Sequence, residues 1–90
     1  MNFEWDHRKA AENLRKHGVS FHEAATVLDD PLAITYADPD HSESEGRQVT
    51  FGESAEGRLL VVSLVEQGGS IRIISARRTT RKERRIYEEG

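Results

Sequence analysis

The 90-residue chain contains no cysteine, which excludes disulfides and thiolate metal sites and agrees with a reducing cytoplasm. It has no long apolar run either. The longest, Leu59-Leu60-Val61-Val62, is far too short to span a bilayer. Met1-Asn2-Phe3-Glu4-Trp5-Asp6 is acidic and lacks an apolar stretch, so no signal peptide is expected. The chain also lacks a nucleotide-binding glycine motif, internal repeats, low-complexity linkers and any Ser–His–Asp arrangement that spacing could support. Lys and Arg are missing from positions 29–45, which carry six acids. With a net charge of −3 and a pI near 5.8, the protein is no general nucleic-acid coat, so any nucleic-acid contact must be local.

What the chain does have is a dense cationic end. Between Arg72 and Arg85 stand seven Lys or Arg against Glu83 alone, a local charge of +6 on an acidic protein. Such a surface points to a polyanionic partner, and its plainer reading is a solvated, salt-bridged terminal helix. At 36% apolar and 32% charged residues, a chain of this length makes one domain, 1–90, with a small core of two or three layers.

Phe3 to Asp6 alternates and reads as a short edge strand. Asp6 can cap a helix from His7 to about His17, with Ala10, Leu14 and His17 on one face and Gly18 at the left-handed C-terminal position. Ser20-Phe21-His22-Glu23 matches a capping box in which the Glu23 side chain reaches back, and Asp30-Pro31 ends that second helix. From Leu32 the apolar period switches to 2. Leu32–Tyr36, Arg47–Phe51, Leu59–Val65 and Ile71–Ala76 read as four strands, the third apolar on both faces and therefore central. Short connections imply an antiparallel meander, and Thr79 or Thr80 can cap a last helix through Tyr87. The expected fold is α+β: two N-terminal helices on a four-stranded antiparallel sheet, with a short C-terminal helix and a possible leading strand.

Three segments carry a family resemblance. They are Phe3-x-Trp5-Asp6-x-x-Lys9-Ala10-x-x-Asn13-x-x-Lys16-His17-Gly18-Val19-Ser20-Phe21-x-x-Ala24; Asp40-His41-x-x-x-Glu45-x-Arg47; and Ile71-Arg72-Ile73-Ile74-Ser75-Ala76-Arg77, followed by Glu83-Arg84 and Tyr87. Over nearly its whole length the chain resembles the BrnT family of bacterial toxins. The resemblance implies a RelE-like ribonuclease fold and the toxin of a type II toxin–antitoxin pair, which inhibits translation by cutting RNA. It further implies a BrnA-like antitoxin with a ribbon-helix-helix part, through which DNA is reached only indirectly. A cytoplasmic protein without membrane contact is expected, with assembly as a homodimer or a toxin–antitoxin hetero-oligomer left open.

Metal-independent RNA cleavage needs a base for the 2′-hydroxyl, an acid for the leaving oxygen, and cations for the charge that builds on phosphorus. Guanidinium groups suit the last role, because the planar fork matches phosphate oxygens. Arg47, Arg72 and Arg77 are the expected phosphate clamp; for Arg47 and Arg77 the alternative is a salt bridge to the acidic 29–45 stretch. His41 and Glu45 are the candidates for proton transfer, although a loop rich in Asp, Ser and Glu can simply be solvated. Lys9, Lys16, His17, Arg78 and Tyr87 are candidate substrate contacts. His17 can instead cap the first helix beside Gly18, and Tyr87 can pack the terminal helix rather than stack a base. Asp38, Asp40, His41 and Glu45 offer metal-ligand atoms without a recognised spacing, so neither metal nor other cofactor is expected. The alternative from another class is a non-catalytic RNA-binding or protein-interaction module.

Overall fold

The structure is a computed structural model and describes residues 2–38 and 46–89. In chain order these form β1 (Asn2–Glu4), α1 (His7–His17), α2 (Phe21–Thr26) with a 3-10 turn (Val27–Asp29), β2 (Ile34–Ala37), β3 (Arg47–Glu53), β4 (Leu59–Gln67), β5 (Ser70–Arg78) and α3 (Arg81–Glu89). Among the described residues no helix is long and apolar enough to cross a membrane.

The α+β class stands, and the expected four-stranded antiparallel sheet is corrected to a five-stranded mixed one of order β1-β5-β4-β3-β2. The meander β2 to β5 is antiparallel, as its short connections require. The additional strand is β1, which runs parallel to the start of β5 and pairs Phe3 with Ile71. Local patterning offered Phe3–Asp6 as an edge strand, but nothing local could name a partner almost seventy residues away.

Side-chain caps set the helix ends. Asp6 Oδ1 accepts from the Arg8 and Lys9 amides at 2.8 and 3.1 Å, and Gly18 takes φ 68° while its N–H reaches the Leu14 carbonyl. Ser20 Oγ accepts from the Glu23 amide at 3.0 Å, but the Glu23 side chain does not turn back as a capping box would have it. It accepts instead from Arg58 Nε at 2.9 Å and Ser54 Oγ at 2.7 Å, and it pairs with Arg58 Nη2 as well. The Arg58 guanidinium, which also donates to the Gly18 carbonyl, holds the Glu23 carboxyl below the usual range. At the other end of the chain Thr80 and Glu83 do form the reciprocal box: Thr80 N donates to Glu83 Oε1 at 2.8 Å and Glu83 N to Thr80 Oγ1 at 3.2 Å. β2 begins at Ile34 rather than Leu32, because Asp30 draws the chain into a turn by accepting from the Leu32 amide, leaving Leu32 exposed.

One sheet face is covered by α1 and α2. Val19, Phe21, Ala24 and Val27 pack there against Leu60, Val62, Leu64, Ile71, Ile73 and Ala76, with Trp5 set edge-on against Phe21. Gly52 lies beneath the 3-10 turn, where a Cβ would stand 2.8 Å from Val27 Cγ1. The docking face of α1 is only partly the expected one: Ala10 packs against the core, but Leu14 is 52% exposed, His17 is exposed, and the buried residue of that helix is Asn13. Its Nδ2 donates to the Ala76 carbonyl at 2.7 Å and the Val19 carbonyl at 2.9 Å, and its Oδ1 accepts from the Ala76 amide at 3.1 Å. The Asn13 amide thus satisfies the edge of β5 beyond the point where β1 ends, as a neighbouring strand would.

The opposite face carries Tyr36, Arg47, Val49, Phe51, Val61, Ser63, Val65, Arg72, Ser75 and Arg77, as the register dictates. A bulge sets this arrangement. Leu64 pairs with Ile73 and Ser63 with Ser75, so Ile74 is the extra residue of β5. Strict alternation would send Arg72 and Arg77 to opposite faces, and the bulge returns both to one. α3 lies over one end of this face. The Arg77–Glu83 ion pair ties it down, as does the Tyr87 hydroxyl, which donates to Asp30 Oδ2 at 2.6 Å.

Candidate functional site

The site begins with one row of the sheet. Arg47 of β3 and Arg72 of β5 are both register partners of Val65 in β4. Two strand spacings put their backbones on the order of 10 Å apart, with long side chains over a valine between them. Both line a cavity of about 110 Å³ together with Lys9, Gln67 and Ile74. Lys9 comes from α1, which the Asp6 cap starts and the Asn13 amide fixes against β5. Asp6 feels two of these cations, Lys9 and Arg72. The Lys9 and Arg8 amides lower its pKa first, and the Lys9 and Arg72 charges add to the effect. Among the described residues Arg72 makes no ion pair at salt-bridge distance.

A neighbouring cavity of about 180 Å³ shares Lys9 and Ile74 and is lined also by Glu12, Asn13, Lys16, His17 and Ser75. Lys16 is paired with Glu12 at 2.7 Å, one turn away along α1. His17 is exposed at the C-terminus of that helix, among the basic residues of its last turn.

The structure does not bring Arg77 into this group. Arg77 is on the same face but partners Val61, in the row of Phe51. Four residues of β3 separate that row from Arg47, roughly 13 Å at the rise of a strand. Its guanidinium is given over to Glu83, with Nη1 and Nη2 each 2.8 Å from a carboxylate oxygen. The fork holds the Glu83 carboxyl down at about 2, and the carboxylate in turn raises Arg77. The acid that binds Arg77 therefore comes from α3 and not from the 29–45 stretch. Arg78 is elsewhere again, in a cavity of about 250 Å³ with Leu59, Thr79, Thr80, Arg81 and Arg84. The Tyr87 hydroxyl is spent on Asp30, which pushes its pKa up to about 12. His41 and Glu45 lie outside the described residues.

Among the described residues no group of three or more His, Asp or Glu stands close enough to hold a metal ion. The described lining of the Arg47–Arg72 cavity supplies cations and one neutral amide, a set able to grip a phosphate and to stabilise charge developing on it. Two features of the site escaped the sequence reading. Asn13 stood within the quoted family segment, but a polar residue on a helix carries no local sign that it will serve as a strand partner. The edge-to-face pair of Tyr36 and Phe51, centroids 5.9 Å apart, could have been sought in the alternation of their two strands, although the register that joins them is not written there.

Comparison with known proteins agrees with this architecture. The family model described as the ribonuclease toxin BrnT of a type II toxin–antitoxin system matches residues 5–83. Among solved structures the chain is similar to the Brucella abortus ribonuclease toxin BrnT, whose crystal structure is known at 1.1 Å resolution. The TM-score is 0.71 at 23% identity, covering 90% of this chain and 99% of that one, a likeness of fold. No curated protein sequence matches the chain.

Proposed function

This chain belongs to the BrnT family of ribonuclease toxins of type II toxin–antitoxin systems, and from that premise we propose that it is a metal-independent endoribonuclease whose scissile phosphate is held by Arg47, Arg72 and Lys9. The observation that carries this reading is the shared row: two guanidiniums flank Val65 and an ammonium from α1 closes the same small cavity. In the reaction the 2′-oxygen attacks the adjacent phosphorus, the bond to the 5′-oxygen breaks, and a 2′,3′-cyclic phosphate remains. The attacking hydroxyl loses its proton to a base and the leaving oxygen gains one from an acid. His41 and Glu45, a few residues before Arg47 in the sequence, are the proposed pair for these transfers. The cationic row neutralises the charge that builds on the non-bridging oxygens. Lys16 and His17, lining the adjoining cavity on α1, extend the path for the RNA backbone.

Arg77 takes a different part from the one its position in the sequence promised. Joined to Glu83, it positions α3 over the sheet and leaves the phosphate to the other row. Cleavage of messenger RNA by this site would inhibit translation. A BrnA-like antitoxin would neutralise it by covering Lys9, Arg47 and Arg72, and a complex whose interface avoided all three would count against that.

The direct test is a labelled RNA incubated with purified protein in EDTA. Endonucleolytic products ending in cyclic phosphate are expected, with Arg72→Ala slowing the cleavage step by roughly 10²- to 10³-fold, the usual loss for one transition-state donor. Binding without cleavage at any excess of protein would reduce the chain to an RNA-binding module. Cleavage abolished by EDTA would sink the metal-free mechanism.

A further inference from the structure

On the same sheet face, beyond the Arg47–Arg72 row, a larger cavity of about 670 Å³ opens between the sheet and α3. Its lining is Tyr36, Ala37, Val49 and Phe51 from β2 and β3, Ile86 from α3, and the Arg77–Glu83 pair. Tyr36 and Ile86 are among the few large apolar side chains this protein leaves exposed, at 48% and 39%. Phe51 by contrast is almost wholly covered and meets Tyr36 edge to face, with the rings at 69°. That contact props the Tyr36 ring from one side while much of its surface stays open.

We propose that this cavity is a nucleobase subsite, receiving a base of the same RNA strand whose phosphate lies in the Arg47–Arg72 row; the proposal rests on the RNA-cleaving reading above. Three features select a base over other occupants. A base is flat and apolar on its faces, which suits a floor of Tyr36 and Val49 and a wall of Ile86. It is polar along its edge, and the Arg77–Glu83 pair in the lining keeps capacity for that edge, since three of the five guanidinium N–H groups serve Glu83 and the Arg78 carbonyl and the others do not. Finally, the cavity is continuous in register with the cationic row. Tyr36 partners Val49, two residues along β3 from Arg47, so one strand of RNA can place its phosphate on the arginines and its base on the tyrosine. The volume lies within the roughly 300–1,000 Å³ typical of small-molecule pockets. Contact with Arg77 and Glu83 also gives the enzyme a means of preferring some bases, since only certain edges complement that pair.

The test uses non-cleavable RNA oligonucleotides, fully 2′-O-methylated, with binding followed by fluorescence anisotropy on the full chain across a salt series. Three proteins are compared with wild type: Tyr36→Ala, Tyr36→Phe, and Ile86→Trp, which fills the cavity from its α3 wall and leaves the sheet residues unsubstituted. Tyr36→Ala and Ile86→Trp are expected to weaken binding by roughly 5- to 100-fold, the range for one lost base–aromatic stack, while Tyr36→Phe stays within about twofold. The slope of log affinity against log salt should be unchanged in all three, because no phosphate contact is removed. An oligonucleotide abasic at every position should bind wild type and Tyr36→Ala alike. If Tyr36→Ala and Ile86→Trp bind as wild type does, the cavity holds no base, and a hydrophobic anchor of a protein partner would be its better occupant. If wild type itself shows no salt-dependent RNA affinity, the RNA-cleaving reading fails first and the subsite with it.

Discussion

Removing the Asn13 amide should damage this protein more than any other single polar substitution on α1. Asn13 is 6% exposed and makes three bonds to backbone, at 2.7, 2.9 and 3.1 Å, across the junction between α1, the turn into α2 and the edge of β5. Asn13→Ala strands two carbonyls and one amide. A buried polar group left without a partner costs about 1–3 kcal/mol, and water entering from the open side of α1 would relieve part of it, so a loss of about 2–4 kcal/mol is expected. Against the 5–15 kcal/mol of stability usual for a domain, that is a large fraction. At roughly 4–8 °C per kcal/mol for a domain of this size, the midpoint of thermal unfolding should fall by about 10–30 °C. Urea denaturation followed by circular dichroism measures it, with an unchanged slope showing that the unfolding reaction is the same one. Asn13→Asp serves as control. It keeps the acceptor for the Ala76 amide, but turns a carboxylate towards two carbonyls. Its folded-state pKa should therefore be raised, and its stability should recover as pH falls through that value. A loss below about 1 kcal/mol for Asn13→Ala would refute the claim that this side chain stands in for a strand.

Further outcomes follow from the packing and from α3. Gly52→Ala would press a methyl group to 2.8 Å from Val27 Cγ1 and 3.1 Å from Ala33 Cβ, so a loss of about 1–3 kcal/mol is expected by urea denaturation. Glu83 is held at about 2 in the folded chain, below its ordinary 4.5, so its contribution is full above about 4.5 and is lost as pH falls towards 2. Because Arg77 is substantially exposed, solvent screening reduces that contribution to about 1 kcal/mol. The stability gap between wild type and Glu83→Gln should therefore close between pH 5 and pH 2, and a gap constant over that range would show that the carboxylate charge is idle.

Where a feature depends on neighbours in sequence, the chain declares it. Gly18, the Asp6 and Ser20 caps, and the apolar run of β4 each follow from local stereochemistry. What was illegible depends on distant partners. The parallel pairing of β1 needs β5; the bulge at Ile74 needs the register of β4; and the exposure of Leu14 follows once Asn13 has taken the docking face. The candidate site divides in the same way. Residue type marked Arg47, Arg72 and Arg77 as cations suited to phosphate. Register alone then put the first two in one row with Lys9 close by, and α3 drew the third away to Glu83.

The central claim is that Arg47 and Arg72 grip one phosphate from two strands, and a double-mutant cycle on single-turnover RNA cleavage tests it most directly. Arg47→Ala, Arg72→Ala and the double variant are measured alongside wild type, with folding verified by circular dichroism. Groups that share one charge are strongly coupled, so the double variant should lose far less than the product of the two single losses. Losses that simply multiply would mean that the two arginines act at separate places, and the shared phosphate site would be contradicted.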